Sequence, residues 1–180
     1  MLKKLLKGFS IFHLIIIALM AGLGVATKPI VVPLAHMITG PLYIPGGVIA
    51  GGFYMLWLVL GAGIIKKRGA ATLISTVQAI MMVSLGIYGT HGIVSFFTYI
   101  IPGLAMDTLY LFFKDPAKLV PCFLAGIVAN LSGTFLVNIV FFRLPIIPLI
   151  LALSSASLSG GIGGIIAYSI IKQFKKFDVL

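Results

Sequence analysis

Residues 43–69 read YIPGGVIAGGFYMLWLVLGAGIIKKRG, an uncharged run from Tyr43 to Ile65 closed by Lys66, Lys67, Arg68 and a glycine. A helix crosses the hydrocarbon core of a bilayer with roughly 20 apolar residues, or about 17 when short, so this stretch predicts a transmembrane helix with a basic stop. Reading outward, five more runs have the same character, at about 9–26, 70–86, 93–113, 119–142 and 149–171. Lys and Arg fall into alternate gaps between them. Lys3, Lys4 and Lys7 precede the first run and Lys66, Lys67 and Arg68 follow the second. Lys114 and Lys118 follow the fourth, and Lys172, Lys175 and Lys176 follow the sixth. Only Lys28 and Arg143 belong to the other side. Cationic loops stay in the cytoplasm, which predicts an all-α, polytopic membrane protein of six transmembrane helices with both termini cytoplasmic.

The composition agrees. With 61% hydrophobic residues, 9% charged residues and a mean hydropathy of +1.22, the chain lies far from the usual make-up of a soluble domain. It reads as one domain over residues 1–180, with no long internal repeat and no linker. The net charge of +10 sits at helix ends, where it orients the protein against anionic lipid rather than nucleic acid. The first run follows three lysines as a signal peptide would. Its uncharged length exceeds the roughly 7–15 residues of a signal h-region, so it is read as a retained helix. Cys122 has no second cysteine to pair with and is read as packing.

Between the first two runs, residues 27–42 contain KPIVVPLAHMITGP, too apolar for a solvated loop and broken by Pro29, Pro33 and Pro41. Apolar non-helical backbone at membrane depth must lie on protein or line a cavity, so this stretch is expected to form a flap over the outer end of the bundle. Its alternative is a loop lying among the lipid headgroups. In the first helix Ala18, Gly22 and Ala26 recur every fourth residue, a small-residue groove that admits another helix closely, from the same bundle or from a partner. The last helix carries two such columns, Ala156/Gly160/Gly164 and Ser159/Gly163/Ala167, which predicts close contacts on two faces and a central position.

Few residues could do chemistry. Asp107 is the one acidic residue within a span, since Asp115 and Asp178 fall in a turn and in the tail. An intramembrane protease of metal, aspartyl or serine type needs a ligand pair, two aspartates, or a Ser–His pair with an oxyanion hole, and none of these sets is present. The reading therefore calls for no catalytic residue, no metal and no cofactor, and not for an enzyme. Polar groups concentrate instead in the expected outer half: His91, Ser95 and Tyr99 on the fourth helix, Asn130 and Asn138 on the fifth, and Ser154, Ser155 and Ser157 on the sixth. His36 and Lys28 belong to the loop above them, and Trp57, Tyr88 and Tyr99 offer aromatic walls. Taken singly, each Ser or Asn could simply bond neighbouring helices. Together they suggest a small-molecule cavity, mostly apolar with a few placed polar groups. Asp107, near the inner end, is read either as a structural hydrogen-bond acceptor or as a coupling residue, with Gln78, fourth-helix hydroxyls or Lys114 as partners.

Six short helices, an apolar connection after the first and the small-residue groove resemble the substrate-binding (S) components of energy-coupling-factor (ECF) transporters. The stretches KKRGAATLISTVQAIMMVSLG, IIPGLAMDTLYLF, LAGIVANLSGTFL and SSASLSGGIGGIIAYSIIKQF are most similar to the subgroup for thiamine and its hydroxymethylpyrimidine precursor. The resemblance implies a vitamin binder without enzymatic activity, working with a transmembrane coupling (T) protein and two ABC ATPases. It also implies docking on the coupling protein through Ala18, Gly22 and Ala26, where Gly22 replaces the usual alanine. Thiamine is a cation, whereas the outer half carries Lys28, Arg143, His36 and His91 and no carboxylate. The neutral pyrimidine precursor removes that conflict. A stand-alone permease or channel, or a structural subunit without a ligand, would be the competing readings.

Overall fold

The computed structural model describes residues 8–42, 44–86 and 95–177, and these form six α-helices. They are α1 (Ile11–Thr39), α2 (Gly46–Ile65), α3 (Ala70–Ser84), α4 (Ser95–Tyr110), α5 (Leu119–Val137) and α6 (Ile146–Lys176). α5 is extended by a π-helical turn, Asn138–Phe142. Four stretches, α1, α2, α5 with its π turn, and α6, are long and apolar enough to cross a membrane, while α3 is apolar but shorter. Tyr88 and His91, like residues 87–94 as a whole, lie outside the described residues, and the side chain of Ser95 is likewise not described.

The helix ends follow local chemistry. Ser10 caps α1 in a reciprocal box: the His13 amide donates to Ser10 Oγ, and the Ser10 amide donates to His13 Nδ1 at 3.0 Å. This replaces the usual glutamate of the box with an imidazole acceptor. The KKRG turn is made by Lys66 (φ 53°), which ends α2, and Gly69 (φ 84°), which opens α3. The left-handed backbone at Gly69 suits glycine.

The expected flap is corrected. Residues 27–39 continue α1 as helix, and a 3-10 turn, Gly40–Leu42, follows. Pro29 and Pro33 remove two amides from the ladder, but they are one turn apart on an exposed face. Apolar surroundings favour helix because every remaining backbone group must be bonded within the segment. The start of α2 also braces the segment: a Cβ at Gly46 would collide with the Val32 carbonyl and the His36 backbone.

α2, not α6, is the central helix. It is buried along most of its length and packs on α1, α3, α5 and α6. The two small-residue columns of α6 do what their spacing predicts. Gly160 and Gly164 lie against the backbone of α5 at Gly126 and Cys122, while Gly163 and Ser159 lie against Gly52 of α2. Leu151, Leu158, Ile162 and Ile165 remain exposed on the third face of α6, so two close contacts do not make a helix central. The core runs through Leu58, Val59, Ile74, Met106 and Ile171. A smaller cluster of Ile44, Val48, Ala152 and Ala156 closes the opposite end.

The described lysine-bearing connections meet at one end of the bundle. Lys67 Nζ donates to the Gly8 carbonyl, and residues 113–118 gather with Tyr168 and Lys175 around a common pocket.

Candidate functional site

The side chains named from the sequence divide into separate places. Asn130, almost fully buried, donates to the carbonyls of Val48 and Ala156, each at 2.9 Å, and so ties α5 to α2 and α6. Asn138 Oδ1 accepts from the Leu144 amide at 2.9 Å and closes the turn after α5. Ser157 Oγ donates to Leu153 O within its own helix. Ser154 is exposed. Ser155 lines an open, largely apolar groove of about 280 Å³ between α2 and α6 with Ile49, Phe53, Leu158 and Ile162. His36 is exposed in the last turn of α1. These groups do not converge with Tyr99, because α6 packs on α2 and α5 while Tyr99 faces α1.

A different cluster forms where α1, α2 and α4 meet. Lys28 Nζ donates to the Tyr99 hydroxyl and lies 4.3 Å from the centre of the Tyr99 ring and 5.5 Å from that of Tyr54. Both contacts fall within the reach of cation–π attraction. Tyr54 Oη donates to Gly47 O at 3.0 Å. Trp57 Nε1 donates to Thr27 Oγ1 at 2.9 Å, and Thr27 Oγ1 in turn donates to Leu23 O at 2.7 Å. One helical turn before Lys28 on the same face, Gly24 leaves the space taken by the amide of Gln78. Gln78 is buried, and its Nε2 has no hydrogen-bond partner among the described residues. Lys28 likewise has no ion-pair partner among them, since Asp107 is taken up elsewhere and Asp115 lies in the 113–118 connection.

An ammonium held by aromatic rings is a donor for oxygen or nitrogen lone pairs, and the amide packed on Gly24, one helical turn away along α1, is a second donor without a partner among the described residues. Trp57 and Tyr99 were legible in the sequence as aromatic walls. Tyr54 and the role of Lys28 were not, because the proline-broken stretch read as a loop, and only a helical α1 turns Lys28 inward. The signal available was the spacing from Gly24 to Lys28, one turn of a continuous helix.

Asp107 has a definite partner, though not one of those expected. Its Oδ2 accepts from the Thr72 amide at 2.8 Å and from Thr72 Oγ1 at 2.5 Å. Thr72 is the third residue of α3, whose preceding Gly69 has no side chain to cap it. Asp107 thus supplies from α4 the acceptor that a helix start needs.

The stripe Ala18–Gly22–Ala26 faces outward. Ala18 and Ala26 are exposed and no atom of the described residues lies within 4 Å of a Cβ built on Gly22, whereas the neighbouring Ala21, Gly24 and Val25 are buried against the bundle. Among the described residues no group of three or more His, Cys, Asp or Glu side chains comes together.

No curated protein and no solved structure matches the chain. Residues 10–132, over two-thirds of the chain, do match the family described as the permease component of ABC-type cobalt transport systems. The chain belongs to that family, as a multi-pass membrane component of an ABC-type transporter.

Proposed function

We propose that this protein is the substrate-binding component of an ECF-type importer. It would capture a vitamin or vitamin precursor, with thiamine-related compounds as the first choice, for uptake driven by a coupling protein and two ATPases. In this reading both termini are cytoplasmic, the lysine-rich end faces inward, and the cluster around Lys28 receives the substrate from the other side. The observation that carries the reading is the Lys28 ammonium, without an ion-pair partner among the described residues, resting on Tyr99 and Tyr54 one helical turn from the glycine, Gly24, on which the unpaired amide of Gln78 packs. Rings give an organic ligand apolar area and orientation, and the two donors select lone pairs on it. A neutral aminopyrimidine, such as the hydroxymethylpyrimidine precursor of thiamine, fits this better than the thiazolium cation. The sequence also lacks a nucleotide-binding P-loop, consistent with ATP hydrolysis by separate chains.

The family's description favours a second reading, capture of a cobalt ion. A positive charge in the cluster disfavours a bare divalent cation there. Calorimetry on detergent-purified protein against thiamine, hydroxymethylpyrimidine, other vitamins and Co²⁺ separates the two. One organic compound should bind at 1:1 stoichiometry without ATP, and Lys28→Met should weaken it at least tenfold. Binding of Co²⁺ alone would establish the metal reading, and no binding by a folded sample would leave a structural subunit.

A further inference from the structure

At the lysine-rich end, the connection from α4 to α5 folds beneath the last turns of α6. Between them is a pocket of about 630 Å³ lined by Lys114, Lys118 and Lys175, with Asp115, Tyr168 and the first residues of α5. Three ammonium groups face one carboxylate, and Asp115 Oδ1 already accepts from the Ala117 amide at 3.0 Å. Among the described residues the positive charge is therefore unbalanced within the pocket. α5 adds to it: its first turn, Leu119–Pro121, lines the same space and receives no side-chain cap from the described residues, leaving the positive end of the helix dipole open. Beside these charges the side chains of Leu119 and Val120 are exposed, as is Phe123 one turn along α5. They continue the apolar outer surface of the helix up to the rim of the basic pocket.

We propose that this pocket binds the phosphate-bearing headgroup of an anionic phospholipid, with the acyl chains lying along Leu119, Val120 and Phe123. The cations and helix start match a phosphodiester, and the site stands where a membrane-crossing helix begins, at headgroup depth. A free soluble phosphate would leave the apolar rim unused, and an acidic protein segment would not extend along a lipid-facing helix. The proposal is independent of the substrate reading, because the pocket is at the other end of the bundle from the Lys28 cluster.

Native mass spectrometry of the full chain in mild detergent tests it, titrating phosphatidylglycerol against phosphatidylcholine with the same acyl chains. The wild type should retain phosphatidylglycerol preferentially. A lysine near such a surface contributes roughly fivefold in affinity, so the variant Lys114→Gln/Lys118→Gln/Lys175→Gln should lose the preference by more than about tenfold. Lys175→Gln alone should lose about fivefold and serves if the triple variant does not fold. The control Arg68→Gln/Lys172→Gln/Lys176→Gln removes equal charge from the same end and should keep the preference. Equal loss in the control, or equal retention of both lipids by the wild type, would overturn the proposal in favour of diffuse surface charge. Displacement of phosphatidylglycerol by millimolar inorganic phosphate would identify a small-anion site instead. Pocket-dependent binding of a polyglutamate peptide without lipid selectivity would identify a protein-docking surface.

Discussion

The two charged side chains held between the described helices, Asp107 and Lys28, meet the cost of leaving water in opposite ways. Asp107 is compensated at one oxygen: the Thr72 amide and hydroxyl both donate to its Oδ2, and the start of α3 adds a favourable dipole, while Oδ1 is buried with no partner among the described residues. Among the described residues Lys28 receives only a phenol and two ring faces, so a complementary group from outside the chain would gain there. The contrast predicts separable mutant effects. Asp107→Leu leaves the Thr72 amide without its acceptor and should destabilise the protein by about 1–3 kcal/mol, read as a lowered midpoint of thermal unfolding in detergent. Asp107→Asn keeps a carbonyl oxygen for the amide and should recover part of that loss. Ligand affinity should stay near wild type in whichever variant remains folded; a selective loss of affinity with an unchanged midpoint would make Asp107 a ligand-binding or coupling residue instead.

Among the elements, the contacts of α6 depend on hydrogen atoms where other residues carry side chains. A Cβ at Gly160 would strike the Gly126 carbonyl, and a Cβ at Gly163 would strike that of Gly52. Gly160→Ala should therefore push α5 and α6 apart and cost about 1–3 kcal/mol, as overpacking does elsewhere. Gly22→Ala, on the open face of α1, should cost nothing measurable or stabilise slightly through helix propensity. Thermal unfolding of the two variants side by side checks this, and equal midpoints would mean that the α5–α6 interface yields freely. Such columns were legible because their period is that of the helix. The continuation of α1 through Pro29 and Pro33 was not, since proline argues locally against helix, while the deciding brace, Gly46 of α2 against Val32 and His36, is a tertiary contact. The same error hid the site. Read as a loop, residues 27–42 placed Lys28 above the bundle, whereas on a helix Lys28 returns to the face that already holds Gly24. Asn130 and Asn138 were visible as polar groups, but that Asn130 joins helices through two carbonyls while Asn138 closes a turn on the Leu144 amide depends on which backbone groups lie opposite, and spacing along one helix does not encode that.

For the molecule as a whole, the apolar surface is divided between lipid and something closer-fitting. Most exposed positions are large, such as Ile15, Leu19 and Leu23 on α1, and lipid tails accommodate these without a defined shape. Ala18, Gly22 and Ala26 cut a shallow channel through that surface, and none of the described residues fills it. A helix of another subunit could approach closely there, gaining packing that mobile lipid does not provide. Membership in an ABC-type transporter family makes further subunits part of the protein's working state. Gly22→Leu fills the channel at a position free of internal neighbours, so it should leave folding and substrate affinity near wild type. It should also reduce co-purification with the transporter's other subunits, and transport, by at least tenfold. Binding by the isolated protein, capture of the assembled complex and uptake by reconstituted vesicles measure the three properties separately. Intact assembly and uptake in a folded Gly22→Leu variant would return the stripe to the lipid-facing surface and place the subunit interface on another face of the bundle.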